Sequence, residues 1–155
     1  MDPNTLIHLR KFLVPEIVYG VGALHLAGRH AGNFGATKVL IVTDAGVIDA
    51  GWTAKVEARL RESAIPYVVF SDVTANPKDH EVMAGAKIYH RENCDLILCV
   101  GGGSPMDCAK GIGIVVGNGS HILAFEGVDE VPSPGPPLIF IPTTAGTSAD
   151  VSQFA

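Results

Sequence analysis

Leu96-Ile97-Leu98-Cys99-Val100-Gly101-Gly102-Gly103-Ser104-Pro105-Met106-Asp107 is the stretch from which the rest of the chain can be read. An apolar run stops at three glycines, and a helical start signal follows at once. Ser104 suits an N-cap, Pro105 suits the first helical turn, and Asp107 stands three residues after the cap, as in a shortened capping box. The pattern predicts strand, tight turn, helix. Glycines carry no Cβ, so a bulky anion can approach the backbone closely. The helix behind them aims unpaired N–H groups and the positive end of its dipole at the same spot. Gly101, Gly102, Gly103 and Ser104 therefore read as a diphosphate cradle. The plainer alternative is a tight turn that binds nothing.

Similar units lie on either side. Lys38-Val39-Leu40-Ile41-Val42-Thr43, residues 66–70 and Pro137-Leu138-Ile139-Phe140-Ile141-Pro142 are short continuous apolar runs, the mark of strands buried on both faces. Between them, residues 47–62, 79–93 and 105–117 read as helices. Residues 21–32 predict another helix before the first of these strands. Gly111 and Gly113 lie inside the helix that follows the cradle, where each costs about 1 kcal/mol relative to alanine; close packing against a strand would explain them. Residues 118–136 form a long loop rich in proline and glycine, and a connection of that length tends to be functional or interfacial. Phe12-Leu13-Val14-Pro15-Glu16-Ile17-Val18-Tyr19-Gly20 reads as two extended pieces joined at proline, an edge hairpin suited to subunit pairing.

Strands alternating with helices imply one α/β domain over residues 1–155, a parallel Rossmann-like sheet with helices on both faces and an N-terminal edge hairpin. Ligands of such sheets sit beyond the carboxyl ends of the strands. Asp44, Asn76, the glycine cradle and Thr143–Ser148 all fall at that edge. Asp44 can accept hydrogen bonds from both hydroxyls of an adenosine ribose and would repel a 2′-phosphate, which favours NAD over NADP; alternatively it caps a helix. Thr143, Thr144, Thr147 and Ser148 offer hydroxyls around Gly146 for phosphate, ribose or nicotinamide, or cap their own turn. Asn76 caps a turn or touches the cofactor. Lys110 is a phosphate partner or a solvated side chain. The histidines lack the spacing of a metal pair on one face, and no nucleophile elbow is present. The cradle also departs from G-x-G-x-x-G and from the P-loop ending, which disfavours a standard Rossmann enzyme or a nucleoside triphosphatase.

Composition narrows the classes. The chain has 155 residues, 47% hydrophobic and 17% charged, with a net charge of −5. The low charge hints at apolar surface meant for a partner, and no basic cluster supports nucleic-acid binding. Cys94, Cys99 and Cys108 sit in or beside apolar runs and lack zinc-site spacing, so they read as buried thiols in a reducing compartment. No long apolar segment at residues 1–11 reads as a leader or a membrane span, which makes the cytoplasm the expected location.

Gly101-Gly102-Gly103-Ser104-Pro105-Met106-Asp107-Cys108-Ala109-Lys110 resembles the GGGSxxDxAK stretch of the iron-containing (group III) alcohol dehydrogenases. Ile141-Pro142-Thr143-Thr144-Ala145-Gly146-Thr147-Ser148 resembles their PTTAGT loop. Val42-Thr43-Asp44, Asn76-Pro77 and Phe125-Glu126-Gly127 sit where the family has short signatures. The resemblance runs from about residue 12 to the last and implies an NAD-binding α/β domain of an enzyme interconverting a primary alcohol and an aldehyde. It places Asp44 at the adenosine ribose, Gly102, Gly103 and Ser104 at the diphosphate, and Thr143, Thr144 and Thr147 along the phosphate and nicotinamide end. Asp107 belongs to the same cofactor motif. Many members read G-S-E where this chain has Ser148-Ala149-Asp150. In the family a helical second domain supplies the ligands for iron or zinc. This chain stops before any of them, so it is expected to bind the dinucleotide weakly without turnover, and to self-associate as a homo-oligomer, a dimer, through uncovered apolar surface near residues 118–136 and 151–155. A half of an enzyme like glycerol dehydrogenase or dehydroquinate synthase, or a non-catalytic nucleotide-binding module, are the alternatives.

Overall fold

A computed structural model describes residues 16–127 and 130–150. After a 3₁₀ turn at Ala23–Leu26, the elements are α1 (Ala27–Asn33), β1 (Val39–Val42), α2 (Ala45–Asp49), α3 (Trp52–Glu62), β2 (Tyr67–Phe70), α4 (Asp79–Arg91), β3 (Leu96–Gly101) and α5 (Gly103–Asn118). A second 3₁₀ turn at Ile122–Phe125 precedes β4 (Leu138–Pro142). The four strands form one parallel sheet in the order β2-β1-β3-β4.

The continuous apolar runs are explained by burial on both faces. Successive side chains of a strand point to opposite sides. Leu40, Val42, Ile97 and Cys99 pack with Val82, Ala86, Met106, Cys108 and Ile112 of α4 and α5. Val39, Ile41, Leu96, Leu98 and Val100 pack with Ala27, Ala31, Val56 and Leu60 of α1 and α3. Both faces of β1 and β3 therefore need apolar side chains, and every residue of these two strands is buried. The edge strands β2 and β4 are only partly covered.

Several expectations are corrected. The helix expected over 47–62 is two helices, because Gly51 adopts a left-handed φ of 78° and turns the chain between α2 and α3. Ser104 is not the N-cap. Gly102 holds that place in extended backbone, and its carbonyl accepts from the Met106 N–H at 3.2 Å, so the helical ladder starts before Ser104. Gly111 does not face a strand: a Cβ there would lie 3.0 Å from Val82, so it lets α4 approach α5. Gly113 does face the sheet as expected: a Cβ there would meet Leu138 of β4 at 3.7 Å and Ile97 of β3 at 3.9 Å, while a Cβ on Gly135 of the long loop would fall 2.4 Å from the Gly113 carbonyl. The first half of the expected edge hairpin lies outside the described residues, as does the 151–155 tail. Its second half, residues 16–19, carries no strand.

The long loop is fastened onto α5. Asn118 donates from Nδ2 to the Ser133 carbonyl at 3.0 Å and accepts from the Ser133 N–H at 2.9 Å. At the amino-terminal edge of the sheet, Asp95 accepts from the Thr37 and Lys38 N–H groups and from the Thr37 hydroxyl. Lys38 also pairs with Glu92 at 2.9 Å. No helix among the described residues is long and apolar enough to cross a membrane.

Candidate functional site

The strand order creates a crevice. The connection leaving β1 runs to α3 on one face, and that leaving β3 runs to α5 on the other. Because β1 and β3 are neighbours, their carboxyl ends border a topological switch point, where parallel α/β sheets take ligands. Asp44 follows β1 and Gly102 follows β3, so the two lie across it.

On the β3 side, α5 begins with a bare end. No side chain caps Gly102, and the first-turn amides have no partner among the described residues. Pro105, third in the helix, supplies no amide and loses nothing there, since a first-turn N–H has no partner within the helix. Sixteen helical residues stand behind this end. Their dipole and the open N–H groups favour an anion.

On the β1 side, Asp44 is half-buried and caps α2. Its Oδ1 accepts from the Val47 N–H at 2.9 Å, so the capping alternative is realised in the ligand-free chain. No bond engages Oδ2 among the described residues. Below Asp44, the buried hydroxyls of Thr43 and Thr53 meet at 3.3 Å and tie the end of β1 to α3.

From β4 comes the threonine loop. Thr143 continues the sheet, donating its N–H to the Gly101 carbonyl at 2.9 Å. Thr144 and Thr147 then lie over the cradle. A Cβ on Gly102 would stand 3.1 Å from Thr144 Oγ1, and one on Gly103 would stand 3.5 Å from Thr147. Thr147 Oγ1 also accepts from the Ala149 N–H at 3.5 Å, a self-capping contact. Ala149 is buried in the core beside α4 and α5 and anchors the loop. Ser148, where the family pattern often has glycine, sits at a φ of 54°. That left-handed conformation costs roughly 1 kcal/mol for a residue with a Cβ.

From β2 comes Asn76, also left-handed with a φ of 55°. Its N–H donates to Ser104 Oγ at 3.4 Å, so the loop after β2 touches the first turn of α5. The structure thus gathers Asp44, Asn76, Gly101–Ser104, Thr143, Thr144, Thr147 and Ser148 at one edge. Asp107 stands apart from the bare helix end. It meets Lys110 at 3.5 Å and lines a groove with Pro77, Val82 and Phe125. Lys110 is largely buried beside this partner rather than solvated.

Glu81 is the residue the sequence reading missed. It is 6% exposed, on α4. Oε1 accepts from the Thr74 N–H at 3.1 Å and Oε2 from the Lys78 N–H at 2.5 Å. The bond from Lys78 is the main cause that holds its carboxyl below the ordinary range; burial opposes it, and the bonds from Thr74 add to it. The available signal was a glutamate in the first turn of a helix following a loop.

The cysteines are inert by burial. Burial pushes the Cys99 thiol far up, and pushes Cys108 up to about 12 and Cys94 up to about 11. Among the described residues, no three His, Cys, Asp or Glu side chains converge to hold a metal ion.

Fold and crevice together define a Rossmann-like α/β domain. The chain belongs to the iron-containing alcohol dehydrogenase family, whose profile matches residues 15–155. It is 39% identical over 145 residues to the 1,3-propanediol dehydrogenase of Citrobacter freundii, covering 92% of this chain and 38% of that protein. It is 38% identical over 144 residues to the NAD-dependent methanol dehydrogenase of Bacillus methanolicus, covering 93% and 38%. Superposition on the crystal structure of a 1,3-propanediol oxidoreductase gives a TM-score of 0.89 at 38% identity, over 94% of this chain and 38% of the other. The chain therefore spans well under half the length of these relatives.

Proposed function

We propose that this chain forms the NAD-binding part of an alcohol dehydrogenase interconverting a primary alcohol and its aldehyde. One observation carries the reading: the capless amino end of α5 opens at the switch point, facing Asp44 across the crevice and roofed by Thr144. The open amides and the absence of a Cβ at Gly102 fit a dinucleotide's diphosphate. In this assignment the N–H groups of Gly103 and Ser104 hold the diphosphate. Oδ2 of Asp44 accepts from the adenosine ribose, and its charge disfavours a 2′-phosphate. Thr143, Thr144, Thr147 and Ser148 line the path to the nicotinamide. Asn76 reaches the cradle from the loop after β2. Asp107 holds Lys110 rather than the cofactor.

When bound, the dinucleotide supplies the hydride acceptor or donor; the residues here bind and orient it. The similar methanol dehydrogenase is NAD-dependent, which supports the choice of cofactor. The iron implied by the family has no donor set among the described residues. A cytoplasmic homo-oligomer belongs to the same proposal. The exposed side chains of Tyr19, Val21 and Leu123 support association, which sedimentation at several concentrations would test.

Fluorescence titration with NADH and with NADPH tests the assignment. Saturable NADH binding, tighter than NADPH, is expected. Binding of neither, or tighter NADPH, would refute it.

A further inference from the structure

We propose that Glu81 is a positioning residue for the dinucleotide site, acting through Asn76. The inference rests on the proposed cofactor reading. Glu81 occupies an inward position of α4, on the helix face that also buries Val82, Gly85, Ala86 and Tyr89. An apolar side chain would pack there at less desolvation cost than a carboxylate. No lysine or arginine pairs with Glu81 among the described residues. Its charge instead faces His80 on its own helix and the Cys108 thiol of α5. What satisfies the carboxylate is the loop after β2, since its two oxygens take the N–H groups of Thr74 and Lys78.

Those two amides bracket Asn76 and Pro77. Between them the chain turns through the left-handed conformation of Asn76, whose N–H then reaches Ser104 Oγ in the first turn of α5. A buried carboxylate, two loop amides, Asn76 and the cradle thus form one connected line. Without the carboxylate, two amides lose their acceptor and the left-handed turn loses its support on both sides. Asn76 then no longer holds its place over the cradle. Glu81 need not touch the cofactor to govern its affinity.

NADH titrations and thermal melts of the protein and its Glu81→Gln, Glu81→Ala, Asn76→Ala and Glu81→Gln/Asn76→Ala variants test this. Val82→Ala, an equally buried change on the same helix, is the control for loss of packing. Asn76→Ala keeps the N–H that reaches Ser104 but disfavours the left-handed turn that aims it, so it is expected to weaken NADH about tenfold, and Glu81→Gln, which sets an amide donor against one of the two loop N–H groups, about fivefold. The double variant should bind like Asn76→Ala alone, since both changes act on one contact. Val82→Ala should lower the melting temperature without changing the dissociation constant. Glu81→Ala should bind no more tightly than Glu81→Gln; if it fails to fold, the Gln series carries the test. Wild-type affinity in Glu81→Gln, a neutral Asn76→Ala, or multiplying effects in the double variant would each overturn the role of Glu81 while leaving the cofactor reading intact. Failure of the wild-type protein to bind NADH would overturn both.

Discussion

Thr144 lies directly over Gly102: a Cβ at Gly102 would stand 3.1 Å from its Oγ1 and 3.2 Å from its Cγ2. The loop after β4 is thus seated on the turn after β3, and the space between them is one that only glycine leaves open. Replacing Gly102 with valine fills it. We expect Gly102→Val to weaken NADH at least about a hundredfold, since branched carbons displace Thr144 and block approach to the α5 amides. The backbone of Gly102 is extended, so the fold should survive with an unchanged far-ultraviolet dichroism spectrum. Unaltered affinity would show that the diphosphate binds elsewhere.

Asp44 has two separable roles, capping α2 and choosing the cofactor. Asp44→Ser keeps a capping oxygen and removes the charge. We expect the ratio of NADPH to NADH affinity to rise about tenfold, the effect of losing a repulsion worth roughly 1.4 kcal/mol. Asp44→Ala should also lose the cap, lowering stability by about 1 kcal/mol in a denaturant titration. A Ser variant that still excludes NADPH would remove Asp44 from the ribose site.

Acid should weaken the amino-terminal edge of the sheet. Burial by itself raises the Asp95 carboxyl, but the bonds from Thr37 and Lys38 outweigh it and leave the group below its ordinary 3.8. The bond from Lys38 likewise holds Glu92 below its ordinary 4.5. Both folded values lie under the unfolded ones, so the stabilisation is fully present above those ordinary values. It is lost as pH falls through the lowered folded values. Denaturant midpoints should therefore hold steady down to about pH 5 and drop below it, and Asp95→Asn should flatten that drop.

The thiols should be silent in the folded chain. Cys94, Cys99 and Cys108 are buried and reduced, and burial keeps each above its ordinary value. A thiol-specific chromogenic disulfide at pH 8 should find none of them in native protein and all three after denaturation. Rapid labelling of the native form would contradict the packing around α5.

Ser148 should tolerate glycine well. Its φ of 54° strains a side-chain-bearing residue, and glycine removes that strain at some cost in unfolded-state entropy. Ser148→Gly is expected to leave stability unchanged or raise it by up to about 1 kcal/mol. Ser148→Val should lower it. Equal melting temperatures for the Gly and Val variants would show that the turn is not left-handed in solution.

Much of this was readable along the chain. β1 and β3 announced themselves because helices cover both their faces, which demands an unbroken apolar run. The turn at Gly101–Gly103 was visible because a strand pattern, a glycine run and a helix start lie in consecutive residues. The helix break at Gly51 and the true start of α5 at Gly103 were less plain. At Gly51 the glycine itself was the available signal, since a left-handed turn after a helix favours it; at α5 the cap position fell to Gly102, which has no side chain to mark it.

Local order in a polypeptide follows from neighbouring residues, so element types, the bare-amide turn and the set of polar loop residues were set by the order of amino acids alone. Which strands lie side by side is another matter. Val39 pairs with Leu96 as well as with Tyr67, and that choice put Asp44 opposite Gly102. The seating of Thr144 on Gly102 and the aim of Glu81 into the loop of Asn76 arise the same way. Contacts between residues far apart in the chain are chosen by the packing of the whole core, and no local pattern encodes them.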